Sequence, residues 1–275
     1  MSGNGAGVPK ASDTLGPDAF GTGIAATGLA CGYGEKVVLR ADLLALSRGM
    51  VTGILGRNGC GKSTLLRSLA GLVPCQGEVL LGGSGLRGLG HQERARRVAF
   101  LPQSLAVPDM TVATLVSHGR YARMGRSKVM GAADREAVVA ALATVGMGDL
   151  ADRRMAELSG GQRQLAYLAM VVAQDAPMLL LDEPGTYLDL EHQVRLAALL
   201  RRLAAAGRGV VVSTHDVAAA FSACDRLVLL GEGRVLGEGA PEVLAAQPAL
   251  VRRCLGVAVA PLDVPGAVHR YVAVG

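Results

Sequence analysis

The chain has 275 residues, half of them hydrophobic, and a mean hydropathy of +0.35. Its richest apolar stretch, residues 165–181, is interrupted by Gln174, Asp175 and Pro177, so no run approaches the ~20 apolar residues that a membrane-spanning helix needs. The net charge of +5 comes from scattered basic doublets, and only 3% of the residues are aromatic. This composition excludes an extended basic, base-stacking surface and predicts no nucleic-acid partner.

The cysteines and the first 23 residues bear on cellular location. Five widely spaced cysteines without a CxxC pair favour reduced thiols in the cytosol over a disulfide scaffold or a zinc site. Residues 1–23 are rich in Gly, Ser, Asp and Pro and lack the apolar segment of a signal peptide. They are expected to form a flexible N-terminal tail.

Beyond the tail, predicted strands alternate with predicted helices, which is the pattern of an α/β fold. A helical region is expected from residue 111 to about 172, with Asp134 as a candidate N-cap and Gly146 as a stop signal. Short β pieces are expected around Pro265 and Gly266. The predicted strands cover residues 37–46, 51–55, 77–81, 98–101, 178–181 and 210–213, and a hairpin joins 226–230 to 234–236. The clearest predicted helices span residues 65–69, 134–145, 162–172 and 191–206.

A glycine-rich segment between a predicted strand and an apolar helix fits the pattern GxxxxGK[ST]. Its glycines allow backbone N–H groups to converge on phosphate oxygens, and the helix that follows directs the positive end of its dipole at them. Lys62 is expected to reach the β and γ phosphates, and Ser63 to offer its hydroxyl to Mg²⁺. The residues predicted to contact a nucleotide here are Gly56, Asn58, Gly59, Cys60, Gly61, Lys62, Ser63 and Thr64.

An acidic pair follows the buried strand at residues 178–181. A phosphate-binding loop needs a second Mg²⁺ ligand, and an Asp at the end of a buried parallel strand commonly supplies it. Asp182 fits that position, and the adjacent Glu183 could polarise the attacking water as a general base. The alternative is an ordinary strand-ending acidic pair, which the phosphate-binding loop in the same chain disfavours.

Residues 158–162, between these two motifs, have the sequence Leu-Ser-Gly-Gly-Gln. With this motif in this order, the chain resembles the ATP-binding cassette (ABC) ATPases over residues 24 to about 244. The resemblance implies ATP hydrolysis with ATP and Mg²⁺ as ligands. It also implies that Tyr33 stacks on adenine and that Gln103 contacts Mg²⁺ and the attacking water. His215 is then the switch histidine, and Asp189 belongs to the D-loop, the loop that follows the acidic pair.

The resemblance implies a fold as well as a reaction. The expected architecture is α/β: a P-loop NTPase cassette with a RecA-like core, an antiparallel β subdomain and a helical subdomain. The cassette would cover residues 24–245, with the helical subdomain at about 110–172. Residues 246–275 would form a short C-terminal extension.

The Leu-Ser-Gly-Gly-Gln motif also predicts a second copy of the chain as a partner. Ser159 is a natural N-cap, and Gly160 and Gly161 expose backbone amides at the start of a helix that begins near Gln162, which makes an anion-binding helix end. The resemblance implies that this end faces the γ-phosphate held by the other copy. ATP would then hold two copies together head to tail.

Three residues in these motifs bear separately on activity. Arg57 stands where the family often has Pro, which adds a cation but leaves every amide donor in place. Gly185 stands where a Thr commonly follows the acidic pair and its Pro, and is expected to loosen the D-loop. Cys60 lies inside the phosphate loop, so its alkylation is expected to block ATP binding.

Residues 186–193 resemble the subgroup that serves iron–siderophore, haem and cobalamin importers. This resemblance implies a separate transmembrane permease, an indirect substrate-binding protein, and a peripheral position on the cytoplasmic face of the cell membrane. The alternative is a soluble ABC ATPase in DNA repair, translation or iron–sulfur assembly. The lack of a coiled-coil insertion, a tandem copy or a concentrated basic face disfavours it.

Overall fold

A computed structural model describes residues 23–125, 129–264 and 267–275. The predicted flexible tail, apart from Gly23, lies outside the described residues. The strands are β1 (Ile24–Tyr33), β2 (Lys36–Leu46), β3 (Val51–Leu55), β4 (Cys75–Leu81), β5 (Ser84–Gly85), β6 (Val98–Leu101), β7 (Met178–Asp182), β8 (Gly209–Ser213), β9 (Arg226–Gly231), β10 (Arg234–Gly239), β11 (Ala258–Pro261) and β12 (Tyr271–Val274). The α-helices are α1 (Lys62–Leu69), α2 (His91–Arg97), α3 (Val112–His118), α4 (Ala132–Thr144), α5 (Gly160–Ala173), α6 (Leu190–Ala205), α7 (Val217–Ala223), α8 (Pro241–Ala245) and α9 (Pro248–Leu255). Short 3-10 turns cover Leu86–Gly88, Gly119–Ala122, Gly148–Leu150 and Met155–Glu157.

Ten strands form one mixed sheet in the order β5-β4-β1-β2-β10-β9-β3-β8-β7-β6. The strands from β9 to β6 run parallel, whereas β5, β4, β1 and β2 pair antiparallel. A single parallel bridge between Arg234 and Arg40 joins the two parts through β10. The α/β prediction is therefore confirmed, and the carboxyl ends of β3, β7 and β8 meet at one edge of the sheet.

The core lies on both faces of the sheet because successive strand residues point to opposite sides. In β7, Leu179 and Leu181 pack into one cluster with helices α3 to α9, whereas Met178 and Leu180 pack into the other. The second cluster contains α1, which contacts β1, β2 and β7. This position fixes the start of α1 next to the ends of the parallel strands.

Most predicted strands are confirmed within a few residues, but the prediction for the start of α4 is wrong. Asp134 is not the N-cap: Gly131 occupies that position, and Asp134 lies in the first turn, where its Oδ2 accepts a hydrogen bond from the Gly131 N–H at 3.1 Å. A carboxylate at this third helical position satisfies a free amide from inside the helix. Gly146, with φ 74, follows the helix end as expected.

The C-terminal residues contain two helices that the sequence analysis missed, α8 and α9. After them, β11 and β12 form the expected β pieces, as an antiparallel pair from Ala258–Val274 to Pro261–Tyr271. Pro265 and Gly266, between the two strands, lie outside the described residues. Among the described helices, none has both the length and the apolar character needed to cross a bilayer.

Candidate functional site

The predicted phosphate loop connects β3 to α1, and its shape depends on three glycines. Gly59 and Gly61 have φ of 78° and 107°, a region that residues with a Cβ rarely adopt. At Gly56 the obstacle is space, because a Cβ there would come within 2.5 Å of Cys60 Sγ and 2.7 Å of the Leu230 carbonyl oxygen. The path of the loop into α1 therefore requires glycine at these three positions.

Lys62 is buried, and its Nζ donates to the Gly56 carbonyl at 2.8 Å. Beside it lies a polar cleft of about 490 Å³. The cleft is lined by Val38, Asn58, Gly59, Gly61, Lys62, Ser63, Thr64, Gln103, Glu183 and His215. The structure therefore brings the phosphate loop together with three predicted catalytic side chains that come from other parts of the chain.

Asp182 ends β7 with no exposed surface. Its Oδ1 accepts a hydrogen bond from the Ser213 hydroxyl at 2.7 Å, whereas the buried Oδ2 has no hydrogen-bond partner among the described residues. A buried carboxylate oxygen without a donor is costly unless a cation satisfies it. This orphaned oxygen fits a Mg²⁺ ligand next to the phosphate loop.

The carboxylate of Glu183 is the point at which the other predicted catalytic groups meet. Its Oε2 accepts a hydrogen bond from Gln103 Nε2 at 3.0 Å and lies 3.4 Å from His215 Nδ1. The Glu183 side chain is 14% exposed and that of His215 is 69% exposed. The arrangement places a carboxylate at the rim of the cleft, where it can take a proton from a water.

Tyr33 ends β1 and is about half exposed. From this part of the sheet, Val38 on the neighbouring strand β2 lines the cleft, and Tyr33 does not. Tyr33 is thus a surface ring on the antiparallel part of the sheet, and its adenine-stacking role stays a prediction.

The Leu-Ser-Gly-Gly-Gln motif lies at the start of α5, with Ser159 as the N-cap. The Ser159 hydroxyl accepts from the Gln162 N–H at 3.2 Å, and Gln162 Oε1 accepts from the Ser159 N–H at 3.0 Å. A Cβ on Gly160 would lie 3.4 Å from Tyr187 Cβ, and a Cβ on Gly161 would lie 3.2 Å from Leu188 Cδ2. This helix end packs against the D-loop, and none of the described residues that line the cleft belongs to the motif.

Asp189 is the N-cap of α6. It accepts hydrogen bonds from the His192 N–H at 2.9 Å and pairs with His192 Nδ1 at 2.7 Å. These contacts, above all the backbone N–H, hold the pKa of Asp189 below its ordinary value. Asp189 is exposed and lies outside the lining of the cleft.

The remaining loop residues show different degrees of exposure. Cys60 is half-buried, and desolvation by burial raises the pKa of its thiol despite the opposing charge of Lys62. Arg57 is exposed and lines a second cleft of about 400 Å³ with Leu255 and His215. Gly185 lines a mainly apolar cavity of about 300 Å³ behind the D-loop.

Sequence reasoning did not assign Ser213 to the site, nor Val38, which lines the cleft. Ser213 occupies the last position of β8 and pairs in register with Asp182. Its Oγ also accepts from the Glu183 N–H at 3.0 Å. A hydroxyl at the end of the predicted strand 210–213, two residues before the predicted switch histidine, was the available signal.

The chain is similar to known proteins in sequence and in fold. The sequence matches the ABC transporter family over residues 39–186. It is 41% identical over 217 residues to the petrobactin import ATP-binding protein FpuD of Bacillus anthracis, covering 78% of this chain and 80% of the relative. It is 40% identical over 241 residues to the ferric enterobactin transport ATP-binding protein FepC of Escherichia coli, covering 86% and 88%.

Among solved structures, the fold is similar to a metal-chelate type ABC transporter in an inward-facing conformation. The TM-score is 0.77 at 25% identity, over 92% of this chain and 98% of that chain. A nucleotide-free ATP-binding cassette from an ABC transporter also matches, with a TM-score of 0.74 at 20% identity, over 83% and 96% of the two chains. Together with the phosphate loop and the Leu-Ser-Gly-Gly-Gln motif, these findings show that the chain belongs to the ABC transporter family as an ATP-binding cassette.

Proposed function

We propose that this protein is the ATP-hydrolysing subunit of an ABC importer that takes up iron–siderophore, haem or cobalamin through a separate permease. Relatives about 40% identical over most of both chains are named for petrobactin import and ferric enterobactin transport. The single observation that carries the hydrolytic part is the meeting of Gln103, Glu183 and His215 at the rim of the phosphate-loop cleft.

Binding of ATP is assigned to the phosphate loop. The amides around Gly59 and Gly61 and the Lys62 ammonium group would hold the phosphates. Mg²⁺ would be held by Asp182, Ser63 and Gln103, and it would neutralise charge on the phosphate oxygens. The unpartnered Asp182 Oδ2 supports this assignment from the protein side.

Glu183 would accept a proton from the attacking water. Its carboxylate has one oxygen engaged by Gln103, which orients the side chain toward the cleft. His215 Nδ1, at 3.4 Å from the same oxygen, would hold Glu183 in place and contact the γ-phosphate side. The protein would therefore supply Glu183 as the general base, Lys62 as a cation at the phosphates, and the side-chain amide of Gln103 to orient Glu183.

The functional unit would contain two copies of the chain. The start of α5 packs against Tyr187 and Leu188, and none of the described residues of the Leu-Ser-Gly-Gly-Gln motif lines the cleft of its own chain. A second copy, turned head to tail, would bring its Ser159, Gly160, Gly161 and Gln162 to the γ-phosphate. Each site would then be closed by both copies.

The partners would be a transmembrane permease and, through it, a substrate-binding protein. The chain would sit on the cytoplasmic face of the membrane as a peripheral subunit. A soluble ABC ATPase in DNA repair, translation or iron–sulfur assembly is the competing function, and the import names of the relatives disfavour it.

The test is ATPase activity in membranes that carry candidate permeases. The activity is measured with and without binding proteins loaded with a ferric siderophore, haem or cobalamin. Stimulation by one loaded binding protein supports the importer function and identifies its cargo. Strong hydrolysis that no permease or binding protein changes would contradict it and favour the soluble alternative.

A further inference from the structure

We propose that Ser213 is a positioning residue that holds both acidic residues of the site through one hydroxyl, Asp182 by its carboxylate and Glu183 by its backbone N–H. The proposal rests on the roles proposed above for Asp182 and Glu183. Ser213 is fully buried at the end of β8, the strand that pairs with β7 in parallel. The register sets it directly beside Asp182, so the contact is built into the sheet.

The hydroxyl donates and accepts at the same time. It donates to Asp182 Oδ1 at 2.7 Å and accepts from the Glu183 N–H at 3.0 Å. A hydroxyl has one proton to donate, and here that proton goes to Asp182. The consequence is that the two oxygens of Asp182 differ: Oδ1 is engaged, and Oδ2 is left for a cation.

The second contact fixes an unusual backbone conformation. Glu183 has φ of +50°, which is uncommon for a residue with a side chain and needs support from its surroundings. Its N–H is shared between the carbonyl oxygen of Ser213 at 3.2 Å and the hydroxyl at 3.0 Å. That conformation turns the Glu183 side chain toward Gln103 and His215.

Ser213 therefore joins the metal-binding and proton-accepting sides of the site. The same segment continues through Thr214 to His215, whose Nδ1 lies 3.4 Å from Glu183 Oε2. Alanine at residue 213 would leave Asp182 Oδ1 buried without a donor and would free the carboxylate to rotate. Threonine would keep the hydroxyl.

The test compares S213A and S213T with the wild-type chain and with S68A. Ser68 is equally buried, but it lies on α1 with its hydroxyl near Cys31. The first readout is the kcat and KM of ATP hydrolysis. The second is the Mg²⁺ concentration that half-saturates binding of a fluorescent, non-hydrolysable ATP analogue, which involves no turnover.

S213A is expected to lower kcat and to raise the half-saturating Mg²⁺ concentration, each about 10- to 100-fold, as the loss of a residue that orients a ligand does. The KM for ATP and the analogue's affinity at saturating Mg²⁺ are expected to stay near the wild-type values. S213T should recover most of both losses, and S68A should change neither. If S213A matches the wild type in both readouts, or if S213T is as impaired as S213A, the proposal is overturned.

Two further variants separate a folding defect, and a failure of the proposed function, from a failure of this proposal. If S213A does not fold, as judged by its thermal unfolding midpoint, S213C replaces it, because a thiol has similar size but is a much weaker donor; unchanged Mg²⁺ dependence in S213C would then overturn the proposal. Hydrolysis by the wild type that is lost in E183Q supports the proposed site, whatever S213A does. A wild type that neither binds nor hydrolyses ATP overturns the proposed function itself.

Discussion

Gln103 donates a hydrogen bond to the carboxylate of Glu183 at 3.0 Å, although 80 residues separate them in the sequence. Gln103 follows β6 and Glu183 follows β7, and these two strands are parallel neighbours. The contact therefore depends on the same sheet edge that carries the phosphate loop. A displacement at Gln103 would be transmitted directly to Glu183.

The first prediction concerns Glu183. E183Q keeps the size of the side chain and removes its capacity to accept a proton, so hydrolysis should fall about 100-fold or more. ATP should still bind, and an ATP-bound pair of chains should accumulate, which size-exclusion chromatography with ATP would detect. The matched control is E191Q, because Glu191 is exposed on α6 and pairs with Arg195. Wild-type hydrolysis in E183Q would show that another group is the base.

The second prediction concerns the thiol inside the phosphate loop. Burial raises the pKa of Cys60, so the neutral thiol is favoured at pH 7, and alkylation by iodoacetamide, which needs the thiolate, should become faster as the pH rises from 7 to 9. Stoichiometric labelling, located by peptide mass spectrometry, should abolish ATP binding, since Cys60 Sγ lies against Gly56. Prior addition of MgATP should protect the thiol. C75A should leave the loss unchanged, and full ATPase activity after labelling of Cys60 would contradict the prediction.

The third prediction concerns the partly buried ion pair of Arg120 and Asp134. Asp134 accepts from the Gly131 N–H and from Arg120 Nε at 3.1 Å, and these contacts, the backbone one foremost, lower its pKa from the ordinary 3.8. The ionised carboxylate therefore stabilises the folded state above that pH, and the stabilisation is lost as the pH falls through the lowered pKa. D134N should lower the thermal unfolding midpoint at pH 7, and its difference from the wild type should be smaller at pH 3 than at pH 7.

The control for this pair is D152N, an exposed aspartate in the same part of the chain. Its midpoint should follow that of the wild type at both pH values. An equal difference between D134N and the wild type at pH 7 and pH 3 would mean that charge is not the source of the effect.

The fourth prediction concerns the C-terminal strands. The rings of Phe221 and Tyr271 lie 5.7 Å apart between centroids at 60°, and the Arg270 N–H donates to Ser222 Oγ at 2.9 Å. These contacts attach β12 to α7. Y271A should lower the free energy of unfolding by about 1–3 kcal/mol, measured by urea denaturation, and Y271F should behave as the wild type. An unchanged free energy in Y271A would show that this contact does not stabilise the fold.

The phosphate loop, the acidic pair and the parallel strands were predictable because each depends on a local pattern. In residues 178–183, for example, four apolar residues indicate a buried strand, and the two acidic residues after them indicate where it ends. Ser213 was not predictable with the same certainty, because its role comes from a register between two strands that are 31 residues apart at this point. A contact between two neighbouring strands produces no periodic pattern in the sequence, so the sequence alone does not predict which residues face each other.

The start of α4 and the helix α2 were difficult for different reasons. Asp134 is a good capping residue, and glycine at residue 131 carries no side chain to signal a cap. Helix α2 has no buried residue and consists mostly of polar and charged side chains, so it has no apolar stripe to reveal it. It is stabilised by contacts such as Arg96 Nε to the Ala122 carbonyl at 2.7 Å, which only the fold provides.

The packing of Gly160 on Tyr187 has a thermodynamic consequence. In the proposed pair, the start of α5 of one copy would bind the nucleotide held by the phosphate loop of the other copy. Tyr187 follows Glu183 in the same copy as that α5, and this Glu183 belongs to the second site. Occupancy of one site would then change the free energy of the second, and linkage requires the effect to be equal in both directions. The two sites should therefore bind ATP with a Hill coefficient different from one, and a larger side chain at Gly160 should bring it toward one.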